Sequence, residues 1–165
     1  MIEVSRRVHA GPEAVWRVLA DGWTYPSWVV GASRMRAVDP AWPRAGAELH
    51  HSAGAWPLLL SDTTSVVEAV PGRRLVLQAR GWPVGEARVD IRVDPDAAGC
   101  VVTIVEDATH GVARLVPARA RQLLMGARNT ETLKRLALLA EAHGHPSEDD
   151  DAAGGGPERS EIHES

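Results

Sequence analysis

Gly85-Glu86-Ala87-Arg88-Val89-Asp90-Ile91-Arg92-Val93 is the stretch on which the fold turns. Glu86, Arg88, Asp90 and Arg92 alternate with Ala87, Val89, Ile91 and Val93, so a strand here presents one charged and one apolar face. A strand wet on one side and dry on the other belongs to an antiparallel sheet with a single covered face. On the N-terminal side, a strand over 74–80 ends at Gly81-Trp82-Pro83, and a long one over 58–70 stops at the turn dipeptide Pro71-Gly72. Before these, strand 47–53 runs into the loop Gly54-Ala55-Trp56-Pro57. Strand 33–39 is followed by a loop holding Asp39-Pro40, Trp42-Pro43 and Gly46. On the C-terminal side, Asp94-Pro95-Asp96-Ala97-Ala98-Gly99 turns the chain into a strand over 100–108.

The flanks read differently. Ile2 and Val4 alternate with polar neighbours over 2–9, a further strand. Gly11-Pro12 ends it, and Pro12 suits the first turn of a helix over 12–20 with Val15, Trp16 and Leu19 on one face. A second short helical piece covers 22–28, anchored by Trp23 and Trp28. Beyond Pro117 a long helix spans roughly 118–142, with Leu123, Ala127, Thr130, Leu133, Ala137 and Ala140 assigned to one face. The order is strand, two helices, six strands, long helix. A one-sided antiparallel meander of about seven strands must be covered, and only the C-terminal helix is large enough. The fold class is therefore α+β. A curved sheet gripping that helix leaves a space between them, which the small residues Gly126, Ala127 and Thr130 keep open.

The chain of 165 residues suits one domain over 1–145, followed by a tail over 146–165. That tail carries seven carboxylates against Arg159, a net of −6, so the remainder holds +2 of the chain's −4. Nearly devoid of apolar side chains, it is expected to be disordered. A charge of +2 without a basic stripe is too weak for nucleic-acid binding. Apolar runs fall short of the ~20 residues of a membrane span, and the first residues lack a secretory signal, so a cytoplasmic protein without stable membrane insertion is expected. The single cysteine, Cys100, permits no internal disulfide and no thiolate metal site. No phosphate loop, HExxH or GxSxG motif occurs, and neither metal nor cofactor is implied.

Together the opening IEVSRRVHAGPEAVWRVLAD, Tyr25-Pro26-Ser27-Trp28, LLLSDTTSVVEAVPGRRLVLQAR and the late NTETLKRLALLAEA make the chain resemble the START/Bet v 1-like (helix-grip) superfamily over residues 1–143. More narrowly it resembles the bacterial polyketide cyclase/dehydrase and lipid-transport-like proteins. The resemblance implies an antiparallel sheet wrapped round a C-terminal helix, with an apolar cavity between them. It does not imply activity, since such proteins include cyclases, hydrolases, carriers and sensors.

Candidate chemistry follows from the polar residues near that space. His50 and His51 point to opposite faces of a strand, so at most one enters; a cavity histidine would serve as acid, base or donor. The alternative is a surface pair near a strand end. Asp107 with His51 or His110 would make an acid–base pair for aldol-type cyclisation or dehydration, unless Asp107 lies on the outer face. Glu106 and Asp62 are assigned to the outer face, paired with Arg88 or Arg92. Trp16 is assigned to the core. Trp28, Trp42, Trp56 and Trp82 lie beside loops or prolines and would rim an opening, with Trp56 as gate; the alternative for Trp56 is an aromatic plug sealing the end of the sheet.

The leading expectation is a monomer or weak homodimer that encloses a small, mostly apolar ligand. Leu49, Leu75, Leu77, Val89 and Ile91 from the sheet would line the cavity. Leu123, Ala127 and Thr130 from the helix would join them, with Trp28, His51 and Trp56 as anchors. The alternatives are a cofactor-free cyclase or dehydratase using His51, Asp107 and His110, and a regulatory or co-chaperone-like interaction module.

Overall fold

Seven strands form one antiparallel sheet in the computed structural model, which describes residues 1–53, 60–81, 85–110 and 117–144. In chain order they are β1 (Ile2–Val8), β2 (Ala32–Val38), β3 (Glu48–Ala53), β4 (Leu60–Val70), β5 (Arg74–Gly81), β6 (Gly85–Asp96) and β7 (Gly99–His110). The sheet order is β1-β7-β6-β5-β4-β3-β2. From β2 to β7 every neighbour in space is a neighbour in sequence, as an antiparallel meander requires. The exception is β1, which pairs with β7 in the register Ile2↔Glu106 to Val8↔Cys100. Between β1 and β2 lie helix α1 (Pro12–Ala20), a single 3-10 turn over Gly22–Thr24 and the one-turn helix α2 (Tyr25–Trp28). The long helix α3 spans Ala118–Gly144. The chain is thus an α+β helix-grip structure, as the residue pattern predicts.

Alternation explains which side of the sheet is covered. Val93 and Ile91 on β6, Leu75 and Leu77 on β5, and Cys100, Val102 and Ile104 on β7 are all buried. They form one core with Ala14, Val15, Val18 and Leu19 of α1 and with Leu133, Leu136, Ala137 and Ala140 of α3. On the opposite face Arg74 grips Asp90 through Nε to Oδ1 at 2.9 Å and Nη2 to Oδ2 at 2.8 Å, and Arg92 adds a third bond at 3.0 Å. Those guanidinium groups, Arg74 foremost, hold the Asp90 carboxyl below the usual carboxylate range.

Glycine is required where backbones approach. Gly99 has φ of +140°, and a Cβ there would lie 2.3 Å from the Val8 carbonyl oxygen. It lets β7 start flush against the end of β1. At Gly22 a Cβ would lie 2.7 Å from Leu49 Cδ2 and 2.8 Å from Val38 Cγ1, so the 3-10 turn is pressed onto β2 and β3.

Three sequence-based expectations give way. Pro95 belongs to β6 rather than to a turn, which shrinks to Ala97-Ala98. The missing N–H costs nothing there, because β5 stops pairing with β6 at Arg92. Trp16 is only partly buried; it borders an open depression of about 330 Å³ with Pro43, Arg44, Ala45, Ala69 and Pro71. On α3, Leu133, Ala137 and Ala140 are buried, but Leu123 is 76% exposed, and Ala127 and Thr130 are exposed too. The three-residue steps from Leu133 back to Thr130 and on to Ala127 each fall short of a full turn, rotating the line by about 120° off the core face. The face continues instead through Asn129, 3% exposed, and Thr132.

Candidate functional site

Polar side chains collect where the apolar inner face would otherwise be continuous. His51 on β3, Thr64 on β4 and Glu106 on β7 are 3%, 0% and 3% exposed. Tyr25 and Trp28 of α2 and Asn129 of α3 are buried as well. α2 brings in its two aromatic rings by packing on α3 and β2. The Tyr25 ring lies 5.2 Å from that of Trp28, edge-on, and 5.1 Å from the His51 imidazole. Tyr25 thus stands between the other two.

Thr64 is the hub of the first group. Its Oγ1 lies 3.0 Å from His51 Nε2 and 3.4 Å from the Tyr25 hydroxyl. Burial pushes the Tyr25 hydroxyl up to about 12, opposed by its bond to Thr64. Burial also holds His51 below the ordinary histidine value; Arg36 and His50 act in the same sense, and the Ser52 backbone opposes them. A neutral imidazole at physiological pH follows. The Ser52 backbone favours a proton on the imidazole nitrogen facing it, Nδ1, and in that tautomer Nε2 accepts from the Thr64 hydroxyl. Nδ1 is buried and makes no hydrogen bond of normal geometry, and the same is true of Trp28 Nε1.

The second group holds charge. Arg128 pairs with Glu106 through Nη2 and Oε2. Asn129 Nδ2 donates to the same oxygen at 2.8 Å, and Arg128 Nη2 donates to Asn129 Oδ1 at 3.1 Å. The charges of Asp62, Arg128 and Glu106 all reach Tyr25. Asp62 pairs in register with His51 on the inner face, and burial pushes its carboxyl up to about 6, against the Thr63 N–H that donates to it at 2.7 Å.

The structure brings Trp28, Leu49, Leu75, Leu77 and Ile91 into one core, with Val89 packed against it and His51 beside it. It does not bring in Leu123, Ala127 or Thr130, whose face turns to solvent. Asp107, expected to pair with His51 or His110, points outward and meets the N-terminal amine at 3.1 Å. It is the odd member of a strand whose inward residues are Cys100, Val102, Ile104 and Glu106. Glu106 and Asp62, assigned to the outside, are the inward ones, and Trp28 is a buried wall rather than a rim. His110 pairs with Glu86 in the β7–β6 ladder, but its side chain lies outside the described residues, as do Trp56 and Trp82. Sequence reasoning left out Tyr25, Asn129 and Arg128. An extension of the Val102–Ile104 alternation would have found Glu106, and a buried carboxylate demands a cation such as Arg128. Among the described residues no cluster of acidic, histidine and cysteine side chains could hold a metal, and no helix is long and apolar enough to cross a membrane.

Residues 1–141 match the family described as polyketide cyclase/dehydrase and lipid transport. The fold is similar to that of a protein from Chromobacterium violaceum, at 23% identity and a TM-score of 0.65, over 85% of this chain and 96% of the other. A Rhodobacter sphaeroides protein is similar at 21% identity and a TM-score of 0.64, over 85% and 91%. StfQ, a di-domain ARO/CYC of the steffimycin biosynthetic pathway, is similar at 14% identity and a TM-score of 0.68, over 86% of this chain and 50% of StfQ. No curated protein is significantly similar.

Proposed function

From the premise that this chain belongs to the polyketide cyclase/dehydrase and lipid transport family, we propose that it binds a small, mostly apolar molecule between the concave face of the sheet and α3. The observation that carries this reading is the buried Trp28 Nε1, which has no hydrogen-bond partner among the described residues, next to Tyr25. A buried donor without a partner costs about 1–3 kcal/mol. On the wall of an apolar interior it is most simply understood as a ligand contact. The apolar body of such a ligand would rest on Leu49, Leu75, Leu77 and Ile91, and an oxygen on it would accept from the Trp28 N–H.

The test is a melting-temperature and tryptophan-fluorescence screen of the full chain against lipids and polyketide-like aromatics. Trp28 is a natural reporter because its ring is part of the wall. A ligand that raises the melting temperature and changes the emission supports the reading. A broad panel with no effect on either refutes it.

A catalytic reading is favoured by one observation: Asp62, pushed up to about 6, shares the inner face with a neutral His51. Such a pair suits proton transfer in cyclisation or dehydration near neutral pH. Asp107 would take no part, being at the surface. Loss of turnover in Asp62→Asn and His51→Ala, with binding retained, would separate catalysis from carriage.

A further inference from the structure

The depression beside α1 shares no lining residue with the cluster around Tyr25, and it is built from rigid parts. The Trp16 indole and the rings of Pro43 and Pro71 border it, and the small side chains of Ala45 and Ala69 leave room between them. The segment that carries Pro43, Arg44 and Ala45 is fastened at both ends. Trp42 Nε1 donates to the Leu19 carbonyl near the end of α1 at 3.1 Å, and the Gly46 N–H donates to the Val66 carbonyl of β4 at 2.8 Å. Between them the Arg44 N–H closes a turn on the Ala41 carbonyl, also at 2.8 Å. Pro71 belongs to the turn between β4 and β5, which the Arg73 N–H closes on the Val70 carbonyl at 3.0 Å. A hollow of about 330 Å³ held in this way is formed before anything enters it, so binding there costs little ordering.

We propose that this depression is a binding site, separate from the concave interior, for a small aromatic anion of the arylcarboxylate class. The polar groups its side chains offer are the Arg44 guanidinium and the Trp16 indole N–H, both of them donors. Neither makes a side-chain hydrogen bond or an ion pair with another described residue. No carboxylate or hydroxyl side chain lines the hollow. A flat ring system laid against the indole and the prolines removes apolar surface from water and leaves no polar group of the protein unpaired. Its carboxylate meets the planar fork of Arg44, which presents parallel N–H donors to two oxygens. A neutral molecule of the same shape gains the apolar part alone. Glu13 stands one turn before Trp16 on α1 with Oε1 at the Pro71-Gly72 turn, where a Cβ on Gly72 would lie 3.3 Å from it. The charge of the ligand therefore belongs at Arg44, and its rings toward Pro71. None of this depends on what the concave face binds.

The experiment titrates the isotope-labelled full chain at pH 7.5 with two probes of one shape, 2-naphthoate and the neutral 2-naphthamide, and follows amide and indole signals by NMR. 2-Naphthoate should shift the amides of Arg44, Ala45 and Ala69 and the indole of Trp16, with half-saturation at or below about 1 mM. It should bind at least about threefold more tightly than 2-naphthamide. Arg44→Gln should remove that preference. Ala45→Phe, a change at an exposed position, fills the hollow and should abolish the shifts from both probes. Shifts confined to other signals, among them the Trp28 indole, place the probe in the interior; they overturn this inference and leave the binding reading intact. No shift with either probe overturns it, as does a smaller preference for the carboxylate in the wild type. A preference that survives Arg44→Gln, or binding unchanged by Ala45→Phe, in variants that melt like the wild type, overturns it too.

Discussion

Asp62→Asn should stabilise the protein at neutral pH and leave it unchanged in acid. Burial pushes the Asp62 carboxyl from 3.8 to about 6 in the folded chain. A raised carboxylate pKa means that the native state binds the proton more tightly than the unfolded one. Stability is therefore highest below the unfolded value and falls as pH rises through the window from 3.8 to about 6. The full shift of about two units corresponds to about 3 kcal/mol. Asp62 is only partly buried, and screening by water reduces this to about 1–2 kcal/mol at pH 7.5. Asparagine keeps an oxygen for the Thr63 N–H and never ionises. The expected gain is thus about 1–2 kcal/mol at pH 7.5, or roughly 3–6 °C in melting temperature for a domain of this size, and none at pH 3.5. Urea denaturation of both proteins at half-unit steps from pH 3.5 to 8 gives the comparison. A difference independent of pH, or a wild-type stability that rises across this window in step with an ordinary Asp62 titration by carbon-detected NMR, refutes the reasoning.

The phase of α3 is tested by Leu136→Ala, which should cost about 3 kcal/mol in chemical denaturation, against Leu123→Ala, which should stay within about 0.5 kcal/mol. Gly99→Ala combines a disfavoured backbone conformation with a clash against the Val8 carbonyl, and should lower the melting temperature sharply or abolish soluble expression. Trp28→Phe removes the unpartnered indole N–H and keeps an aromatic ring; stability by thermal melt should change by no more than about 1–2 kcal/mol. Affinity for a carbonyl ligand, followed by calorimetry, should drop by about tenfold in the same variant.

The strands were legible because alternation is a local signal that survives any tertiary context. Residues 85–93 show it outright, and Leu75, Leu77, Ile91 and Leu49 face the core as their phase requires. The two helices after β1 were legible from Gly11-Pro12 and from Trp28, whereas Trp23, expected to anchor the second of them, is 62% exposed. What failed, failed where composition was allowed to overrule phase. Glu106 was assigned to water because carboxylates are usually wet, although Val102 and Ile104 point its side chain inward; the cation that makes this tolerable, Arg128, lies twenty-two residues away on another element. On α3, alanines and arginines recur so often that several faces look equally good. The one that wins is chosen by contact with β1, α1 and α2, which no local pattern encodes. The hydrogen-bond partners of His51 are likewise a tertiary property: Asp62 comes directly across from it, and Thr64 diagonally within reach, only once β3 and β4 are in register.

The pairing of β1 with β7 sets a timetable for synthesis. Residues 2–8 leave the ribosome roughly a hundred residues before their ladder partners, 100–106. At about 5–20 residues per second, the first strand waits some seconds with its edge open, while β2 to β6 can zip hairpin by hairpin behind it. The polar run Ser5-Arg6-Arg7 in the middle of that strand suits such a wait, since charge discourages premature pairing with other nascent chains. The last acts of folding are then the return of residues 2–8 to the sheet and, after it, the seating of α3, which packs on β1 and α1.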